Sequence, residues 1–318
     1  MNDVKEEERA SGLIIIRGQA ITRVMKGIIL AGGKGTRLHP ASQHVSKILL
    51  PVYDKPMIYY PLSTLMSAGI RDILIVTSMK DRAQFEDLLK DGSQFGVRIS
   101  YSKQKVQRGI ADALLMGEEF AAGEGVALIL GDNIFFGKDL ELLLEDAMRR
   151  RSGASVFCKK VEDPRAFGVA EIGPGGDVLS IEEKPENPKS YWAVTGLYIY
   201  DFKAMEYAKT LKPSARGEYE VTDLNRIYLE KGMLHAYQMG DGSRWVDTGT
   251  FDSILDVGVR IRNLEKETHS LFGSPEAVAL EKGFVTPAQL LEWVSNFKCN
   301  SYYCRLKRMA EEADVGKR

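Results

Sequence analysis

Short β-rich runs alternate with amphipathic segments between residues 26 and 152, and this alternation constrains the fold more than any other feature of the sequence. The predicted strands are 26–30, 73–77, 97–101 and 126–130. The predicted helices, whose apolar residues recur at helical spacing, are 57–68, 82–90 and 110–121. Strands that alternate with helices form crossover units, so we expect an α/β fold with a largely parallel sheet and helices on both faces.

After about residue 152 the pattern changes to short strands separated by turns rich in Gly and Pro. The predicted strands here are 154–159, 169–172, 178–182 and 194–200, and we expect them to join the same sheet in mixed or antiparallel pairing. Helical patterns follow at 253–264, after Pro275 and after Pro287. We therefore divide the chain into an N-terminal extension (1–24), expected to be mobile, a main domain (25–264) and a C-terminal helical segment (265–318).

The charge balance gives no sign of a polyanionic partner, because 43 Lys and Arg residues oppose 44 Asp and Glu residues. We therefore expect neither nucleic acid nor a membrane as a partner. The longest apolar runs are far shorter than the roughly 20 residues of a membrane helix, and the acidic amino terminus is unlike a signal peptide. We predict a cytoplasmic protein whose three cysteines, Cys158, Cys299 and Cys304, are reduced thiols.

A glycine-rich loop follows the first predicted strand, and glycines let backbone N–H groups approach a phosphate closely. Its candidate nucleotide-binding residues are Leu30, Gly32, Gly33, Gly35 and Thr36. The loop lacks the Gly-Lys-Ser/Thr ending of a Walker A loop. Leu38 stands where a dinucleotide-binding motif needs its third glycine, although Asp54 lies at about the distance of a ribose-binding acid. The alternative is a plain structural turn.

Two cations lie close to this loop in the sequence. Arg37 follows the glycines directly and Lys47 comes ten residues later. Together they could neutralise the phosphates of a nucleotide. Either one alone could equally be an ordinary surface cation.

Two aspartates occur in contexts unlike a solvated surface. Asp132 follows the apolar run 126–130, and Asp247 lies in an apolar segment that ends in a glycine turn. The carboxyl ends of strands in an open parallel sheet are where ligands bind, and carboxylate oxygens suit Mg²⁺. An N-cap or turn aspartate is the alternative for each.

From Met25 to about residue 300, the chain resembles the glucose-1-phosphate thymidylyltransferases of the sugar-phosphate nucleotidyltransferase family. The resemblance rests on an ordered set of motifs rather than on the glycine loop alone. They include Lys26-Gly-Ile-Ile-Leu-Ala-Gly-Gly-Lys-Gly-Thr-Arg37, Ser46-Lys47, Leu130-Gly-Asp-Asn-Ile-Phe135, Glu182-Glu-Lys-Pro185, Val194-Thr-Gly-Leu-Tyr198, Leu211-Lys-Pro-Ser-Ala-Arg-Gly-Glu218 and Trp245-Val-Asp-Thr-Gly249.

The resemblance implies a Rossmann-like three-layer nucleotidyltransferase fold, with a mixed, mostly parallel central sheet and C-terminal helices. It divides the main domain into a nucleotide half, up to about residue 152, and a sugar-phosphate half after it. In the nucleotide half it implies that the glycine loop, Arg37 and Lys47 hold the nucleotide phosphates. It also implies that Gln104 and Gly109 recognise the base. Asp132 and Asp247 would bind the catalytic Mg²⁺, and Asp132 would also belong to the nucleotide site.

In the sugar-phosphate half the resemblance assigns contacts to the sugar and its phosphate. The implied residues are Gly168, Glu183, Lys184, Val194, Tyr198 and Arg216. Lys184 and Arg216 would grip the phosphate, and Lys184 would act with Arg37 and Lys47 in catalysis.

The implied reaction is transfer of a thymidylyl group from dTTP to glucose 1-phosphate, which gives dTDP-glucose and pyrophosphate and starts dTDP-rhamnose synthesis. The resemblance also implies a homotetramer that dTDP-rhamnose inhibits. Two alternatives are a uridylyltransferase that uses UTP and a non-catalytic regulatory protein that binds a sugar nucleotide. A nicotinamide dehydrogenase is a third, which the missing third glycine disfavours. A metal-dependent glycosyltransferase is a fourth, but the sequence lacks the Asp-x-Asp motif usual in those enzymes.

One segment departs from the family pattern. It has the sequence Gln104-Lys-Val-Gln-Arg-Gly109, where bacterial thymidylyltransferases usually have Gln-Pro-x-Pro-Asp-Gly. Because two prolines are missing, we expect a less rigid loop and only modest discrimination between dTTP and UTP.

Overall fold

In a computed structural model, the chain is described at residues 14–16, 19–21, 25–33, 35–104, 106–137, 139–150 and 152–315. Within the N-terminal extension two short strands pair in antiparallel fashion, Ile14 opposite Ile21. Most of the extension lies outside the described residues, so its mobility stays a prediction.

The strands are β1 (Ile14–Ile16), β2 (Gln19–Ile21), β3 (Lys26–Leu30), β4 (Pro51–Val52), β5 (Lys55–Pro56), β6 (Asp72–Ser78), β7 (Arg98–Gln104), β8 (Val126–Leu130), β9 (Asn133–Gly137), β10 (Ala154–Lys160), β11 (Gly168–Ile172), β12 (Val178–Glu183), β13 (Trp192–Tyr200), β14 (Leu234–Met239) and β15 (Ser243–Asp247). The helices are α1 (Tyr59–Ser67), α2 (Arg82–Leu89), α3 (Ile110–Leu115), α4 (Glu118–Ala121), α5 (Leu140–Arg149), α6 (Ala204–Ala208), α7 (Val221–Glu230), α8 (Phe251–Thr268), α9 (Pro275–Glu281), α10 (Pro287–Ser295) and α11 (Ser301–Val315).

One large sheet runs through the molecule in the order β12-β11-β13-β8-β3-β6-β7, and β10 joins β13 to β14. The strands β7, β6, β3 and β8 pair in parallel. The strands β8, β13, β11 and β12 then pair in antiparallel fashion. The predicted α/β class with a mixed central sheet is confirmed, including the antiparallel additions after residue 152.

Strand β3 occupies the middle of the parallel part and is buried on both sides. Ile28 and Ile29 are fully buried and belong to the two hydrophobic clusters that lie on opposite faces of the sheet. Gly27 has no space for a side chain, because a Cβ atom there would lie 2.8 Å from Leu65 Cδ1 of α1. The apolar run with a single glycine therefore suits a strand covered by helices on both faces.

The predicted helix 110–121 is wrong in one respect, because the structure divides it into α3 and α4 at Met116 and Gly117. A Cβ atom on Gly117 would lie 2.5 Å from Ile28 Cδ1 of β3. The chain therefore approaches the sheet too closely at this point for a larger residue, and the helix ends there.

A two-stranded ribbon, which the sequence did not predict, stands at the carboxyl end of β8. Strand β9 pairs with β15 in antiparallel fashion, with Asn133 opposite Asp247. The ribbon brings together two segments that are more than a hundred residues apart in the sequence, and it determines the geometry of the site described below.

The C-terminal helices pack into the same core as the nucleotide half. Tyr302, Leu306 and Ala310 of α11 are buried in the cluster that contains Ile29 of β3. No helix in the described part of the chain combines the length and the apolar composition that crossing a bilayer requires.

The prediction of three reduced thiols is wrong for two of them. Cys299 and Cys304 form a disulfide across the start of α11, with their Cα atoms 5.4 Å apart, a separation that suits such a bond. Cys158 is a free, buried thiol, and burial raises its pKa to about 12. Cysteine usage therefore no longer supports the predicted compartment.

Candidate active site

The glycine loop leaves β3 at Leu30 and turns sharply beside the sheet. Gly33 has φ of 131° and Gly35 has φ of 59°, values that glycine adopts without strain. Gly35 also allows a close approach, since a Cβ atom there would lie 3.2 Å from Lys47 Cβ. Lys34 lies outside the described residues, and Thr36 begins a short 3₁₀ turn that carries Arg37.

This loop forms one wall of an open cleft at the carboxyl ends of β3 and β8, with a volume of about 210 Å³. The cleft is lined by Gly32, Gly33, Gly35, Thr36, Arg37, Leu38, Lys47, Ile48, Asp132 and Gly249. The structure therefore brings the predicted glycine loop, both predicted cations and one predicted aspartate into a single site.

Lys47 and Asp132 form an ion pair in this cleft. Lys47 Nζ donates to Asp132 Oδ2 at 2.6 Å, and only a tenth of the lysine side chain is exposed. Lys47 is therefore not a solvated surface cation. Its position is determined by the same carboxylate that we predict to bind the metal.

Two residues that the sequence did not indicate hold Asp132 in place. The N–H and the hydroxyl of Thr248 both donate to the Asp132 carbonyl, at 3.0 and 2.7 Å. Asn133 Nδ2 donates to Asp132 Oδ1 at 2.9 Å, and Asn133 Oδ1 accepts from the Gly196 N–H and from Trp245 Nε1. Gly196 is needed for this contact, because a Cβ atom there would lie 2.6 Å from Asn133 Oδ1.

Asp247 ends β15 beside Asp132. Burial, and then the nearby Asp132 carboxylate, raise the pKa of the Asp247 carboxyl group above its usual value. A Cβ atom on Gly249 would lie 2.9 Å from Arg37 Nη2 and 3.0 Å from Asp247 Oδ1. The Arg37 guanidinium therefore lies on the side of the cleft where Asp247 contributes its negative charge.

The two aspartates fit a divalent cation. Asp247 Oδ1 is buried and has no hydrogen-bond partner among the described residues, and an unpartnered buried carboxylate oxygen is costly unless something binds it. Among the described residues, no group of three or more His, Cys, Asp or Glu side chains is arranged so that it could hold a metal ion. Two carboxylates are enough for Mg²⁺, which usually completes its shell with water and substrate phosphates.

The predicted base-recognition residues lie at one side of the glycine loop. Gln104 ends the edge strand β7 and is buried, and its Oε1 would lie 3.3 Å from a Cβ atom on Gly32. Gly109 has φ of 108°, and a Cβ atom there would lie 2.4 Å from the Tyr219 carbonyl oxygen. The base-recognition loop therefore contacts a segment of the sugar-phosphate half directly.

The predicted sugar-binding residues gather where β11, β12 and β13 meet. Gly168 pairs with Glu183 on one side and with Val194 on the other. A Cβ atom on Gly168 would lie 3.0 Å from Thr222 Oγ1, whose hydroxyl donates to Glu183 Oε2. Thr222 is a further member of this group that the sequence did not indicate.

Tyr198 lies on β13, the strand that also carries Val194, and its side chain is buried. Burial, and then the Glu183 carboxylate, raise the pKa of its hydroxyl, so this hydroxyl lies within electrostatic reach of Glu183. Its ring stacks on Tyr200 at a centroid distance of 5.9 Å. The structure thus places Tyr198 beneath the group around Gly168 rather than at its surface.

The two predicted phosphate-gripping cations are much more exposed. Lys184 directly follows β12 with a left-handed φ of 44°, and its side chain is 45% exposed. Arg216 is 41% exposed and forms ion pairs with Glu183, Glu218 and Glu220 at 3.3, 3.5 and 2.8 Å. Both side chains can therefore reach a phosphate that arrives from solvent.

A short path of contacts joins Lys184 to the aspartates that we predict to bind a metal ion. The Lys184 N–H donates to the Phe167 carbonyl at 3.0 Å, and the Phe167 ring packs edge-on against Trp245 at 5.0 Å. Trp245 in turn donates to Asn133, which holds Asp132. The two groups of residues therefore belong to one connected site.

Comparison with known proteins identifies the family of this chain. Residues 26–263 match the family model described as nucleotidyl transferase. The chain belongs to this nucleotidyl transferase family. The family domain covers both halves of the site, from β3 to α8, and leaves the C-terminal helices outside it.

Relatives whose function is named share about half of their aligned residues with this chain. The chain is 49% identical over 288 residues to the glucose-1-phosphate thymidylyltransferase of Neisseria meningitidis, which covers 91% of this chain and 100% of the relative. It is 49% identical over 268 residues to the enzyme of the same name from Mycobacterium tuberculosis, covering 84% of this chain and 93% of the relative.

Solved structures give the same result for the fold. A Bacillus anthracis protein assigned to the glucose-1-phosphate thymidylyltransferases, in complex with sucrose, has a TM-score of 0.70 and 43% identity and covers 75% of this chain and 96% of its own. A UDP-glucose pyrophosphorylase complexed with UDP-glucose has a TM-score of 0.67 but only 26% identity, over 76% of this chain and 99% of its own. The predicted family and nucleotidyltransferase fold are confirmed.

Proposed function

We propose that the chain is a glucose-1-phosphate thymidylyltransferase, which makes dTDP-glucose and pyrophosphate from dTTP and glucose 1-phosphate. Relatives at about half identity over nearly the whole chain carry this name. The observation in the structure that carries the proposal is the cleft beside the glycine loop that Lys47, Asp132 and Arg37 line, with Asp247 within electrostatic reach of all three. This arrangement has the charges that a metal-bound triphosphate needs.

In the proposed reaction, an oxygen of the sugar 1-phosphate attacks the α-phosphorus of dTTP in line and pyrophosphate leaves. No covalent bond to the protein forms, so the chain contributes positioning and charge stabilisation. Backbone N–H groups of the glycine loop orient the triphosphate. Arg37 and Lys47 offset the charge that builds up on the leaving pyrophosphate.

Asp132 and Asp247 would hold Mg²⁺, which supplies positive charge against the phosphates and makes the α-phosphorus more electrophilic. Asp132 must then share its carboxylate between the cation and Lys47. The unpartnered Asp247 Oδ1 supports this role, because it is a buried acceptor with no other partner among the described residues.

Lys184 and Arg216 bind and orient the phosphate of glucose 1-phosphate in this proposal. The sugar lies beside Gly168 and Val194, and a glycine is needed at residue 168 because a Cβ atom there would lie 3.0 Å from Thr222 Oγ1. Glu183 and Thr222 then offer hydrogen-bonding groups to the sugar hydroxyls. Two anionic substrates repel each other, so separate cations on each side of the reacting centre are needed.

A uridylyltransferase is the second candidate, and the altered loop from Gln104 to Gly109 is what favours it. A UDP-glucose pyrophosphorylase of similar fold is known in complex with UDP-glucose, which supports this candidate. The higher identity to thymidylyltransferases argues for dTTP as the preferred substrate.

We further propose, from the family resemblance alone, a homotetramer inhibited by dTDP-rhamnose. A nucleoside triphosphate substrate supports a cytoplasmic location. Sedimentation analysis and an inhibition assay with dTDP-rhamnose test the first two proposals, and a monomer that dTDP-rhamnose does not inhibit would contradict both.

The proposed function is tested by incubating the purified chain with dTTP, glucose 1-phosphate and Mg²⁺ and identifying the products by phosphorus NMR and mass spectrometry. We expect dTDP-glucose and pyrophosphate in equal amounts. Binding of the sugar nucleotide without turnover would instead identify a non-catalytic regulatory protein.

A further inference from the structure

Asp112 on α3 connects two residues of the base-recognition loop. Its Oδ2 accepts from Gln104 Nε2 at 3.3 Å, and its Oδ1 accepts from Arg108 Nη2 at 2.7 Å. The Asp112 side chain is only 13% exposed, whereas that of Arg108 is 56% exposed. The Arg108 end of the ion pair therefore lies near solvent, and the Asp112 carboxylate faces the protein interior, where it contacts Gln104.

This contact determines which way the Gln104 amide faces. A carboxylate paired with a guanidinium has acceptors only, so it must face the NH₂ group of an amide and not its oxygen. The Gln104 oxygen then points away from Asp112, toward Gly32, which lines the cleft. Gln104 thus presents an acceptor to whatever base enters beside the glycine loop.

We propose that Asp112 is a positioning residue that fixes the Gln104 amide so that the site selects bases with a ring N–H donor at this edge. This inference rests on the proposed function. Thymine and uracil carry N3–H, and they satisfy the Gln104 oxygen. Cytosine has an acceptor at N3, so it would leave two acceptors facing each other in a buried place, which is costly.

The surrounding loop supports a fixed orientation even without prolines. The Tyr219 N–H donates to the Arg108 carbonyl at 2.7 Å, and the Ala111 N–H donates to the Tyr219 carbonyl at 3.2 Å. The Arg108 guanidinium also lies 5.5 Å from the centre of the Tyr219 ring. Asp112 is therefore held on a braced segment, residues 108–111. The lower rigidity expected from the missing prolines at residues 105 and 107 stays a prediction.

The decisive variant is Asp112→Asn, which keeps the shape of the side chain but offers both a donor and an acceptor. Gln104 can then turn either way and satisfy cytosine as well. We expect the ratio of kcat/KM for dTTP to that for dCTP to fall by about tenfold or more. The ratio of dTTP to UTP should stay unchanged, because those two bases share N3–H.

Three further variants separate orientation from general damage. Glu86→Gln is the matched control, because Glu86 pairs with Arg82 at the same helical spacing on α2, and it should leave both ratios as in the wild type. Arg108→Met removes the ion pair but keeps the acceptor for Gln104, so discrimination should largely survive. Adding Gln104→Glu to Asp112→Asn exchanges the amide and the carboxylate. The carboxylate at residue 104 can only accept hydrogen bonds, so the double variant should restore the preference for dTTP over dCTP.

If Asp112 is only a structural residue, Asp112→Asn will lower kcat/KM equally for all three nucleotides, and this result would overturn the inference. The same conclusion follows if the double variant fails to restore the ratio while it melts at the wild-type temperature. Failure of the proposed function is a separate result, because the wild type would then make no dTDP-glucose at all.

Discussion

The two halves of the site present their cations in opposite ways. In the nucleotide half, Lys47 is nearly buried and forms an ion pair with one carboxylate of the described residues, that of Asp132. In the sugar-phosphate half, Lys184 and Arg216 are almost half exposed, and Arg216 is surrounded by three carboxylates. The cations of the nucleotide half are therefore preorganised, whereas under the proposed function a sugar phosphate would have to displace carboxylates from Arg216.

The difference has an energetic consequence. A buried charge that loses its partner is strongly destabilised, whereas exposed ion pairs contribute little. Removing the charge of Asp132 from the buried pair should thus affect turnover strongly, and removing one exposed carboxylate from Arg216 should only adjust affinity.

The largest effect is expected at the two aspartates. Asp132→Asn and Asp247→Asn keep the side-chain shape but remove the charge that would hold Mg²⁺, so each should lower kcat at least about 100-fold. Steady-state rates over a Mg²⁺ titration measure this, with circular dichroism as the check that the fold survives. A variant with a near wild-type rate at saturating Mg²⁺ would show that its aspartate only forms a turn.

The next largest effect separates the two halves by substrate. Lys47→Ala should raise KM for dTTP, and Lys184→Ala should raise KM for glucose 1-phosphate, each by about 10- to 100-fold because a charge-assisted contact is lost. Initial rates with each substrate varied in turn measure both constants. If both variants shift both constants equally, the division into two halves is wrong.

A smaller effect tests how Gly196 and Asn133 support Asp132, the predicted metal ligand. Gly196→Ala would push a methyl group against Asn133 Oδ1 in a buried strand, and we expect a loss of about 1–3 kcal/mol in the free energy of unfolding. Denaturant unfolding measures it. Gly240→Ala is the control, because a Cβ atom at residue 240 would meet no atom of the described residues within 4 Å, and it should leave stability unchanged. Gly232→Ala would not serve, because Gly232 has a positive φ. Equal stability of both variants would contradict the claim that the close contact between Gly196 and Asn133 supports Asp132.

The smallest effect is expected at the exposed carboxylates. Glu218→Gln removes one of the three partners of Arg216, and it should lower KM for glucose 1-phosphate by about two- to fivefold, as an exposed ion pair allows. The KM for dTTP serves as the internal control and should not change. A higher KM for glucose 1-phosphate would mean that Glu218 helps to bind the sugar.

The sequence predicted elements whose local pattern determines them. Strands β3 and β8 have the predicted bounds, because buried parallel strands are continuous apolar runs. Asp132 and Asp247 were each identified from local context and from the resemblance. Their meeting depends on the β9–β15 ribbon, a pairing across more than a hundred residues that no local pattern contains.

Other features were missed for related reasons. Asn133 and Thr248 act through hydrogen bonds that exist only once the ribbon has formed. Asp112 has the sequence context of an ordinary surface carboxylate, and its contact with Gln104 requires the edge strand and α3 to be in place. The Cys299–Cys304 bond was missed because the prediction assigned all three cysteines to a reducing cytoplasm, whereas the fold at the start of α11 brings these two close.

The most direct test of the account is a pyrophosphate-release assay that crosses dTTP, UTP, dCTP and dATP with glucose, galactose and glucosamine 1-phosphates. The account predicts that dTTP with glucose 1-phosphate gives the highest kcat/KM. UTP should follow at about 10- to 200-fold lower efficiency, since one methyl group separates the bases, and dCTP should be much poorer. A higher kcat/KM for UTP than for dTTP would contradict the account and identify a uridylyltransferase.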